Sequence, residues 1–377
     1  MQHRITVDCH PALGINRPEK ELQKFQALHP MFSYQVEEVP ESVAKALKAA
    51  KEIVIVGLGG SVLPLRALLD LHPRSQDLLY LDSVDPRRVE KVFNQLRDPL
   101  FCVVSKSGET LEIQILLAEI LKRFGDNKIL AVTDSKSGKL RALATEKKWL
   151  SLSIPSELGG RFTHFTVFHR ALLENWGVSF EALLMRARSQ IEELKNSSQS
   201  LELLKRMLFN EGVSHHIFWH YGQAREGMAL WMQQVLAESL GKTRADGQRF
   251  GILPTVLEGP QAQHFVLQLL MDGPQNSALW FLEPSAVQKT ESALERGLWV
   301  LAESTKQSFL ERVPNPKLSQ SVISSSLTSI EDAVDLIVLI QAFIEYLADD
   351  FNIPAFDQPG VERGKTIARE LWSKSKK

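Results

Sequence analysis

The sequence predicts an α/β fold with two domains, each a mainly parallel sheet flanked by helices. Short aliphatic and β-branched runs alternate with longer stretches of helical spacing, and this alternation is typical of parallel sheets covered on both faces. Small, polar or glycine-rich turns follow several of these runs. The chain has 377 residues, more than one ordinary hydrophobic core accommodates, so two domains are expected.

The first half of the chain alternates between strands and helices. We predict an N-terminal arm over residues 1–40 and a first domain over residues 41–190. The predicted strands, each short and apolar, are residues 53–56, 78–82, 101–104 and 128–133. The predicted helices are residues 41–51, the segment from 62 to 71, 86–96, the segment that begins at 111 and is stopped by Gly125, and 140–148. Ligands are expected at the carboxyl ends of the strands.

The second half repeats the pattern in a second domain, predicted over residues 200–350. Residues 165–210 are largely helical, and the polar stretch 196–200 is a candidate inter-domain linker. Predicted strands are residues 251–257, 277–282 and 319–324, and predicted helices are residues 221–240, 261–271, 290–303 and 330–350. Residues 351–377 form a separate C-terminal motif and helix. A crevice between two such domains is a usual place for a small-molecule site.

Composition excludes several classes of protein. The chain is 44% hydrophobic and 24% charged, with a formal net charge of −1, so it lacks the basic surface that nucleic-acid binding requires. Asp335 interrupts the most hydrophobic helix, which argues against a membrane span. The two cysteines, Cys9 and Cys102, are far apart in the sequence, which favours reduced thiols and a cytoplasmic protein.

The stretch that follows the strand at 101–104 has the features of an anion site. Residues 105–110 (the serine turn: Ser105, Lys106, Ser107, Gly108, Glu109 and Thr110) lead into a helix. The first N–H groups of a helix are unpaired, and its dipole attracts negative charge there. Three hydroxyls and an ammonium would suit a phosphate. An ordinary serine-rich turn with a simple helix cap is the alternative, and Glu109 would repel a phosphate unless it points outward.

A second turn has two interpretations. Residues 57–61 (the glycine turn: Gly57, Leu58, Gly59, Gly60 and Ser61) follow a predicted strand. A dinucleotide-binding fingerprint would need glycine at the next position, where Val62 stands, so a nicotinamide cofactor is not expected. The turn still offers backbone N–H groups and one hydroxyl to a ligand.

Four further residues are ambiguous when read singly. Arg161 follows two glycines on a predicted flexible loop, where a ligand could approach the backbone closely, although a surface arginine is the ordinary reading. Glu238 lies near a predicted helix end, one turn after Gln234, and such glutamates are most often solvated. His264 and Lys365 carry no specific signal alone.

A metal site is not expected. His216, His220 and Glu226 lack the His-Glu-x-x-His pattern, and no cysteine lies near them in the sequence.

Taken together, the motifs resemble the glucose-6-phosphate isomerase family, in a short bacterial-type form with two sugar-isomerase (SIS) domains. The matching blocks occur in the family's order over roughly residues 50 to 370: the glycine turn, the serine turn, Gly159-Gly160-Arg161-Phe162, Ala237-Glu238-Ser239-Leu240-Gly241-Lys242, Gln263-His264, and a C-terminal block from Phe356 to Lys365. The chain departs from the family's pattern at Glu109, at Thr163, in the loop before His264 and in a shorter N-terminal part.

The resemblance implies a role for each candidate residue. Glu238 would be the general base, Arg161 would stabilise the enediolate, and His264 with Lys365 would open the sugar ring. Phosphate would be bound by Ser61, Ser105, Lys106, Ser107 and Thr110, and the rest of the substrate by Gly60, Gln234 and Gln358.

The implied reaction interconverts glucose 6-phosphate and fructose 6-phosphate through a cis-enediol, with neither cofactor nor metal. Moving one proton between C1 and C2 needs a single positioned carboxylate, and a fixed guanidinium would stabilise the developing oxyanion. The family also implies a homodimer in which His264 is contributed across the interface. Two alternatives stay open: an isomerase that also uses mannose 6-phosphate, and a non-catalytic sugar-phosphate-binding regulator.

Overall fold

The structure is a computed structural model that describes residues 5–6 (as backbone), 25–209, 212–244, 246–284, 292–311 and 321–375. The chain divides into two compact units. The first-sheet unit contains the described residues of 30–65, 73–184 and 356–377. The second-sheet unit contains those of 1–29, 66–72 and 185–355. Most of the predicted N-terminal arm, including Cys9, lies outside the described residues.

The first-sheet unit is built on a five-stranded parallel sheet with the order β3-β2-β4-β5-β6. Its strands are β2 (Glu52–Val56), β3 (Leu78–Leu81), β4 (Pro99–Val104), β5 (Ile129–Asp134) and β6 (Leu150–Ile154). Four of them were predicted. Sequence analysis missed β6, because Leu-Ser-Leu-Ser-Ile alternates serine with leucine and is not the continuous apolar run of a buried strand.

Helices accompany this sheet along the chain. They are α1 (Glu41–Ala49), α3 (Pro86–Phe93), α4 (Leu111–Phe124), α5 (Lys139–Lys147), α6 (Val167–Asn175) and α13 (Glu362–Ser375), with the first residues of α2 (Leu63–Leu69) and α7 (Phe180–Asn196). Their ends follow local rules: Asp85 caps α3 through the backbone N–H groups of Arg87 and Arg88. The buried faces of β4 and α4 share one core, in which Phe101 and Ile120 are fully buried.

The second-sheet unit is built on another five-stranded sheet, with the order β1-β12-β11-β7-β10. Its strands are β1 (Ile5–Thr6), β7 (His215–Tyr221), β10 (Leu253–Gly259), β11 (Ser277–Glu283) and β12 (Ser321–Ser326). All neighbours are parallel except β1, which pairs antiparallel with β12. A short hairpin, β8 (Lys242–Thr243) and β9 (Arg249–Phe250), lies apart from this sheet.

The helices of this unit complete a second α/β arrangement. They are most of α7, then α8 (Gln199–Leu208), α9 (Glu226–Leu240), α10 (Leu267–Asp272), α11 (Ala293–Leu310) and α12 (Ile330–Phe351). Fully buried aromatic side chains form the core, with Trp219, Trp280 and Phe281 on adjacent strands. Helix α12 begins with a capping box between Ser329 and Asp332, which fixes its start as predicted. The predicted α/β fold with two mainly parallel sheets is confirmed.

Three predictions for this unit were wrong in detail. The predicted helix 221–240 begins only at Glu226, because Tyr221 ends the unpredicted strand β7. That strand has the sequence His-His-Ile-Phe-Trp-His-Tyr. Its three histidines made it unlike the continuous apolar run expected of a buried strand. The predicted helix 261–271 is broken into a 3-10 turn, Gln261–His264, and α10. Helix α11 runs on to Leu310, and the predicted start at residue 290 falls outside the described residues.

The domain boundaries stay predictions, and the compact units group some residues differently. The units divide between residues 184 and 185, inside α7. The stretch 196–200 lies within the second-sheet unit, where it separates α7 from α8. The C-terminal residues from Phe356 onward belong to the first-sheet unit. Within the described ranges, no helix is both long enough and apolar enough to cross a bilayer.

Candidate active site

Three predicted site segments follow strands of the first sheet. The glycine turn follows β2, the serine turn follows β4, and residues 156–162 (the arginine loop) come after β6. The carboxyl ends of parallel strands lie at one edge of a sheet. The three segments therefore meet at the same edge of the first-sheet unit, and the backbones of the glycine turn and the arginine loop touch. A Cβ added to Gly60 would lie 2.9 Å from the backbone nitrogen of Arg161.

The serine turn presents an uncapped helix N-terminus. Thr110 occupies the N-cap position of α4, yet its side chain makes no capping hydrogen bond and is exposed. The Ser105 hydroxyl is buried and accepts a hydrogen bond of 3.0 Å from the Gly108 N–H, so it shapes the turn. Gly108 has φ +67°, where a side chain would be strained and would strike Leu140. This geometry favours the anion site over the ordinary cap.

Glu109 lies beside a lysine, whose positive charge partly offsets the negative charge of its carboxylate. The Lys139 ammonium lies 3.7 Å from the Glu109 carboxylate, and both side chains are largely exposed. The Ser107 hydroxyl, also exposed, accepts a hydrogen bond of 3.1 Å from the Glu109 N–H. The two exposed hydroxyls of the turn are therefore those of Ser107 and Thr110.

The Lys106 side chain binds the protein backbone, which sequence analysis did not predict. Its ammonium donates hydrogen bonds to the backbone carbonyl oxygens of Ser156 and Leu158, at 2.6 and 2.8 Å. Both acceptors belong to the arginine loop. The lysine thus joins the serine turn to the arginine loop, and its role toward phosphate stays a prediction.

Arg161 is buried, and the predicted flexible loop is a short 3-10 turn, Gly160–Phe162. Its guanidinium lies 4.9 Å from the centre of the Phe162 ring and donates to the Asp357 carbonyl oxygen at 3.3 Å. Asp357 directly precedes Gln358, whose side chain is exposed. The structure therefore brings the arginine and the C-terminal motif together within the first-sheet unit. A guanidinium fixed in this way can stabilise negative charge without reorganising.

Lys365 lies on α13, almost all of whose residues are exposed. Its ammonium pairs with the Glu362 carboxylate at 2.7 Å, one turn earlier. The hydrogen bond and charge of Lys365 hold the pKa of Glu362 below its usual value. Lys365 therefore occupies an open, solvated position in the first-sheet unit.

The second-sheet unit holds the predicted general base. Glu238 is partly buried near the end of α9, and the Gln234 amide donates a hydrogen bond of 2.8 Å to one of its carboxylate oxygens. The spacing of four residues places both side chains on one face of the helix. The amide hydrogen bond orients the carboxylate on this face of the helix.

His264 ends the 3-10 turn after β10, and its side chain is exposed. The residue before it is anchored: the Gln263 amide nitrogen lies 2.9 Å from the Tyr221 hydroxyl and 3.0 Å from the Leu301 carbonyl oxygen, and it also contacts the Thr305 hydroxyl. The loop that departs from the family's pattern is therefore held to β7 and α11. Sequence reasoning missed Tyr221, because it assigned this residue to a helix.

A partly buried ion cluster holds the start of α9, the helix that carries Gln234 and Glu238. Within the second-sheet unit, the Arg66 guanidinium binds the Asp70 carboxylate at 3.1 Å and the Glu226 carboxylate at 2.6 Å. Burial raises the pKa of Asp70 to about 7, against the opposing influence of Arg66. No motif indicated this cluster.

Asp134, at the end of β5, is another residue that sequence reasoning missed. Its carboxylate accepts hydrogen bonds from the backbone N–H groups of Lys136 and Ser137 and from the Ser156 hydroxyl, at 2.8, 3.0 and 2.9 Å. Burial alone would raise the pKa of Asp134, but these hydrogen bonds hold it below its usual value. An aspartate at a strand's carboxyl end, before a polar turn, was the signal available in the sequence.

The histidines that were considered and rejected as metal ligands, His216 and His220, are core residues. His216 and His220 lie on β7 and are buried, and burial lowers the pKa of His216 to about 4. The His216 Nε2 atom is 2.6 Å from the Leu208 carbonyl oxygen, a contact of a core histidine. Among the residues that the structure describes, no group of three or more His, Cys, Asp or Glu side chains is placed to hold a metal ion.

The chain is similar in sequence to several known glucose-6-phosphate isomerases. No family model matches the chain. The glucose-6-phosphate isomerase of Thermus thermophilus is 30% identical over 347 residues, which cover 85% of this chain and 83% of that protein. The glucose-6-phosphate isomerase of Campylobacter jejuni is 27% identical and covers 85% of each chain.

Solved structures show the same fold. A Thermus thermophilus protein described as hypothetical matches with a TM-score of 0.75 and 30% identity, over 88% of this chain and 86% of its own. A Chlamydia trachomatis glucose-6-phosphate isomerase matches with a TM-score of 0.73 and 20% identity, over 89% of this chain and 72% of its own. At that identity the second match supports the fold alone.

Proposed function

Because the chain belongs to the glucose-6-phosphate isomerase family, we propose that it interconverts glucose 6-phosphate and fructose 6-phosphate. The observation that supports this proposal most is the arrangement of residues at one edge of the first sheet. There, an uncapped helix N-terminus with exposed hydroxyls adjoins a loop that holds a buried arginine. One part suits a phosphate, and the other suits the oxyanion of an enediol.

In the proposed mechanism, Glu238 moves the proton that defines the isomerisation. Its carboxylate removes the proton from C2 of the open aldose. The hydroxyl proton moves from O2 to O1 in the enediol, and the carboxylic acid returns its proton to C1, which gives the ketose. The hydrogen bond from Gln234 keeps the carboxylate oriented during both transfers. Arg161 stabilises the negative charge that develops on the enediol oxygens. A positioned base of this kind typically contributes about 10²–10⁴-fold to the rate.

The remaining predicted residues bind and prepare the substrate. Four of the five predicted phosphate ligands, Ser61, Ser105, Ser107 and Thr110, hold the phosphate, with Gly60 close to it. The fifth, Lys106, has a different role in this proposal. Gln358 contacts the sugar. His264 with Lys365 opens the glucose ring by moving the proton of the C1 hydroxyl to the ring oxygen O5 as the C1–O5 bond breaks. A remote phosphate anchor positions C1 and C2 for the base, which is where such binding energy aids catalysis. No step requires a cofactor.

We also propose a homodimer in which each copy contributes His264 to the other's site. Support comes from the apolar residues around His264: Phe265 is 75% exposed and Leu269 is 59% exposed. Exposed apolar patches of this kind are typical of protein interfaces. Sedimentation velocity on Phe265→Ser with Leu269→Ser should show a monomer, and a wild-type monomer would contradict the proposal.

A cytoplasmic location is part of the same proposal, and the buried free thiol of Cys102 supports it.

The experiment is turnover of fructose 6-phosphate, followed with a glucose-6-phosphate dehydrogenase, on the wild type and on Glu238→Gln. Glutamine keeps the size of the side chain and removes the base. We expect turnover by the wild type and a loss of about 10²–10⁴-fold in the variant, together with lost exchange of the C2 proton in deuterated water. Turnover that survives in Glu238→Gln would refute the assignment of the base.

The same assay separates the alternatives. Binding of fructose 6-phosphate without turnover by the wild type would indicate a sugar-phosphate-binding regulator. Turnover of mannose 6-phosphate at a similar rate would indicate a broader isomerase.

A further inference from the structure

We propose that Lys106 is a positioning residue for Arg161, and that it acts by clamping the arginine loop to the serine turn rather than by binding the substrate phosphate. This inference rests on the proposed isomerase function.

The Lys106 ammonium uses most of its hydrogen-bonding capacity within the protein. A lysine ammonium has three hydrogens. Two of them are directed to the carbonyl oxygens of Ser156 and Leu158, at 2.6 and 2.8 Å. Hydrogen bonds from a charged donor at these distances are strong. A side chain held in this way has at most one hydrogen left for a phosphate.

The charge of the ammonium is also balanced within the protein. The Asp134 carboxylate lies close enough that the Lys106 charge contributes to its lowered pKa. Asp134 binds the same loop from another side, through the Ser156 hydroxyl at 2.9 Å. The ammonium and the carboxylate therefore offset each other, and the pair attracts a phosphate less than an isolated lysine would.

The backbone of Lys106 is fixed as well, so the clamp has a rigid base. Its carbonyl oxygen accepts hydrogen bonds from the Asp134 N–H and the Thr133 hydroxyl, at 3.1 and 3.0 Å. The side chain thus extends from a rigid strand end to the arginine loop. The last clamped residue, Leu158, is three positions before Arg161, and Gly60 packs against the backbone between them. Releasing the clamp should shift Arg161.

The two roles predict different kinetics. A phosphate ligand contributes to substrate affinity, whereas a residue that positions Arg161 contributes to the stability of the transition state. Misplacing a catalytic group by about 1 Å can lower the rate about 10²-fold. Loss of the clamp should therefore lower kcat and leave the affinity for phosphate nearly unchanged.

The test compares three variants: Lys106→Met, Ser156→Ala and Ser107→Ala. Lys106→Met removes the clamp and the charge. Ser156→Ala loosens the same loop without changing any charge, and Ser107→Ala removes an exposed hydroxyl proposed to bind phosphate. For each, we would measure kcat, KM for fructose 6-phosphate and competitive inhibition by inorganic phosphate.

We expect Lys106→Met to lower kcat by about 10–100-fold, with phosphate inhibition changed by less than about threefold. Ser156→Ala should lower kcat in the same direction but less, and Ser107→Ala should mainly raise KM and weaken phosphate inhibition. A Lys106→Met enzyme with wild-type kcat, or with phosphate inhibition weakened about tenfold or more, would overturn the proposal and make Lys106 a phosphate ligand.

A second readout does not depend on turnover. Hydrogen exchange of the backbone amides at 156–162 should be faster in both Lys106→Met and Ser156→Ala, because each removes an anchor of that loop. Calorimetric binding of inorganic phosphate to Lys106→Met should match the wild type. If the wild type does not isomerise sugar phosphates, the proposed function fails while these two measurements still test the clamp. Unchanged exchange in both variants would refute it.

Discussion

Replacing Gly60 with alanine tests whether the close approach of two backbones holds Arg161 in place. The added Cβ would lie 2.9 Å from the Arg161 nitrogen and 3.0 Å from the Gly160 carbonyl carbon. Both are backbone atoms, which cannot rotate away as a side-chain end could. The two segments must therefore separate by several tenths of an ångström. Overpacking of this kind typically costs about 1–3 kcal/mol.

Gly160 provides a matched control, since it faces Gly60 across the same contact. A Cβ added to Gly160 would lie 3.4 Å from the nearest atoms of Gly60, an ordinary van der Waals distance. Gly160→Ala should therefore change the free energy of unfolding by less than about 1 kcal/mol, and could stabilise the chain by reducing the entropy of the unfolded state.

The assay is urea unfolding of both variants, followed by kcat and KM for fructose 6-phosphate. We expect Gly60→Ala to lose about 1–3 kcal/mol of unfolding free energy and about tenfold in kcat, because Arg161 moves away from the glycine turn. Equal stability and equal kcat in the two variants would refute the reasoning. A loss in Gly160→Ala as large as in Gly60→Ala would also contradict it.

Three other predictions concern single contacts. Burial raises the pKa of Asp70 to about 7, so the stability that its bound proton contributes is present below about pH 4 and is lost as the pH rises to 7. Urea unfolding across this range should show that loss in the wild type and not in Asp70→Asn. Gln263→Leu removes the bonds that hold the turn before His264 and should lower kcat about tenfold, whereas wild-type kcat would contradict that anchor. Ser107→Ala with Thr110→Ala should raise KM about tenfold or more, and an unchanged KM would place the phosphate elsewhere.

The sequence predicted those parts of the fold that local patterns determine. The aliphatic runs that became β2, β4 and β5 were recognised because a parallel strand buried on both faces is apolar throughout. Strand β7 was missed because histidines and aromatic residues fill a buried strand there. That strand is supported by its pairing with β10 and β11, which lie later in the chain. Burial of that kind depends on tertiary packing, which no local pattern records.

The candidate site likewise has features that local sequence predicts and contacts that it does not. The serine turn was predicted because a strand, a hydroxyl-rich turn and a helix are consecutive in the chain. The engagement of Lys106 could not be predicted, because its acceptors are backbone carbonyl oxygens about fifty positions later. Backbone acceptors have no residue-specific signature. The hydrogen bond of Arg161 could not be predicted for a related reason, since its acceptor is the backbone carbonyl oxygen of Asp357, 196 positions later.

The positions of the tryptophans give the protein two distinguishable optical signals. The fully buried indoles, Trp219, Trp231 and Trp280, all belong to the second-sheet unit, whereas Trp149 and Trp176 of the first-sheet unit are only partly buried. Emission at shorter wavelength should therefore come mainly from the second-sheet unit. Trp231 also lies on α9, two turns before Glu238. Its fluorescence lifetime should report the environment of the helix that carries the proposed base.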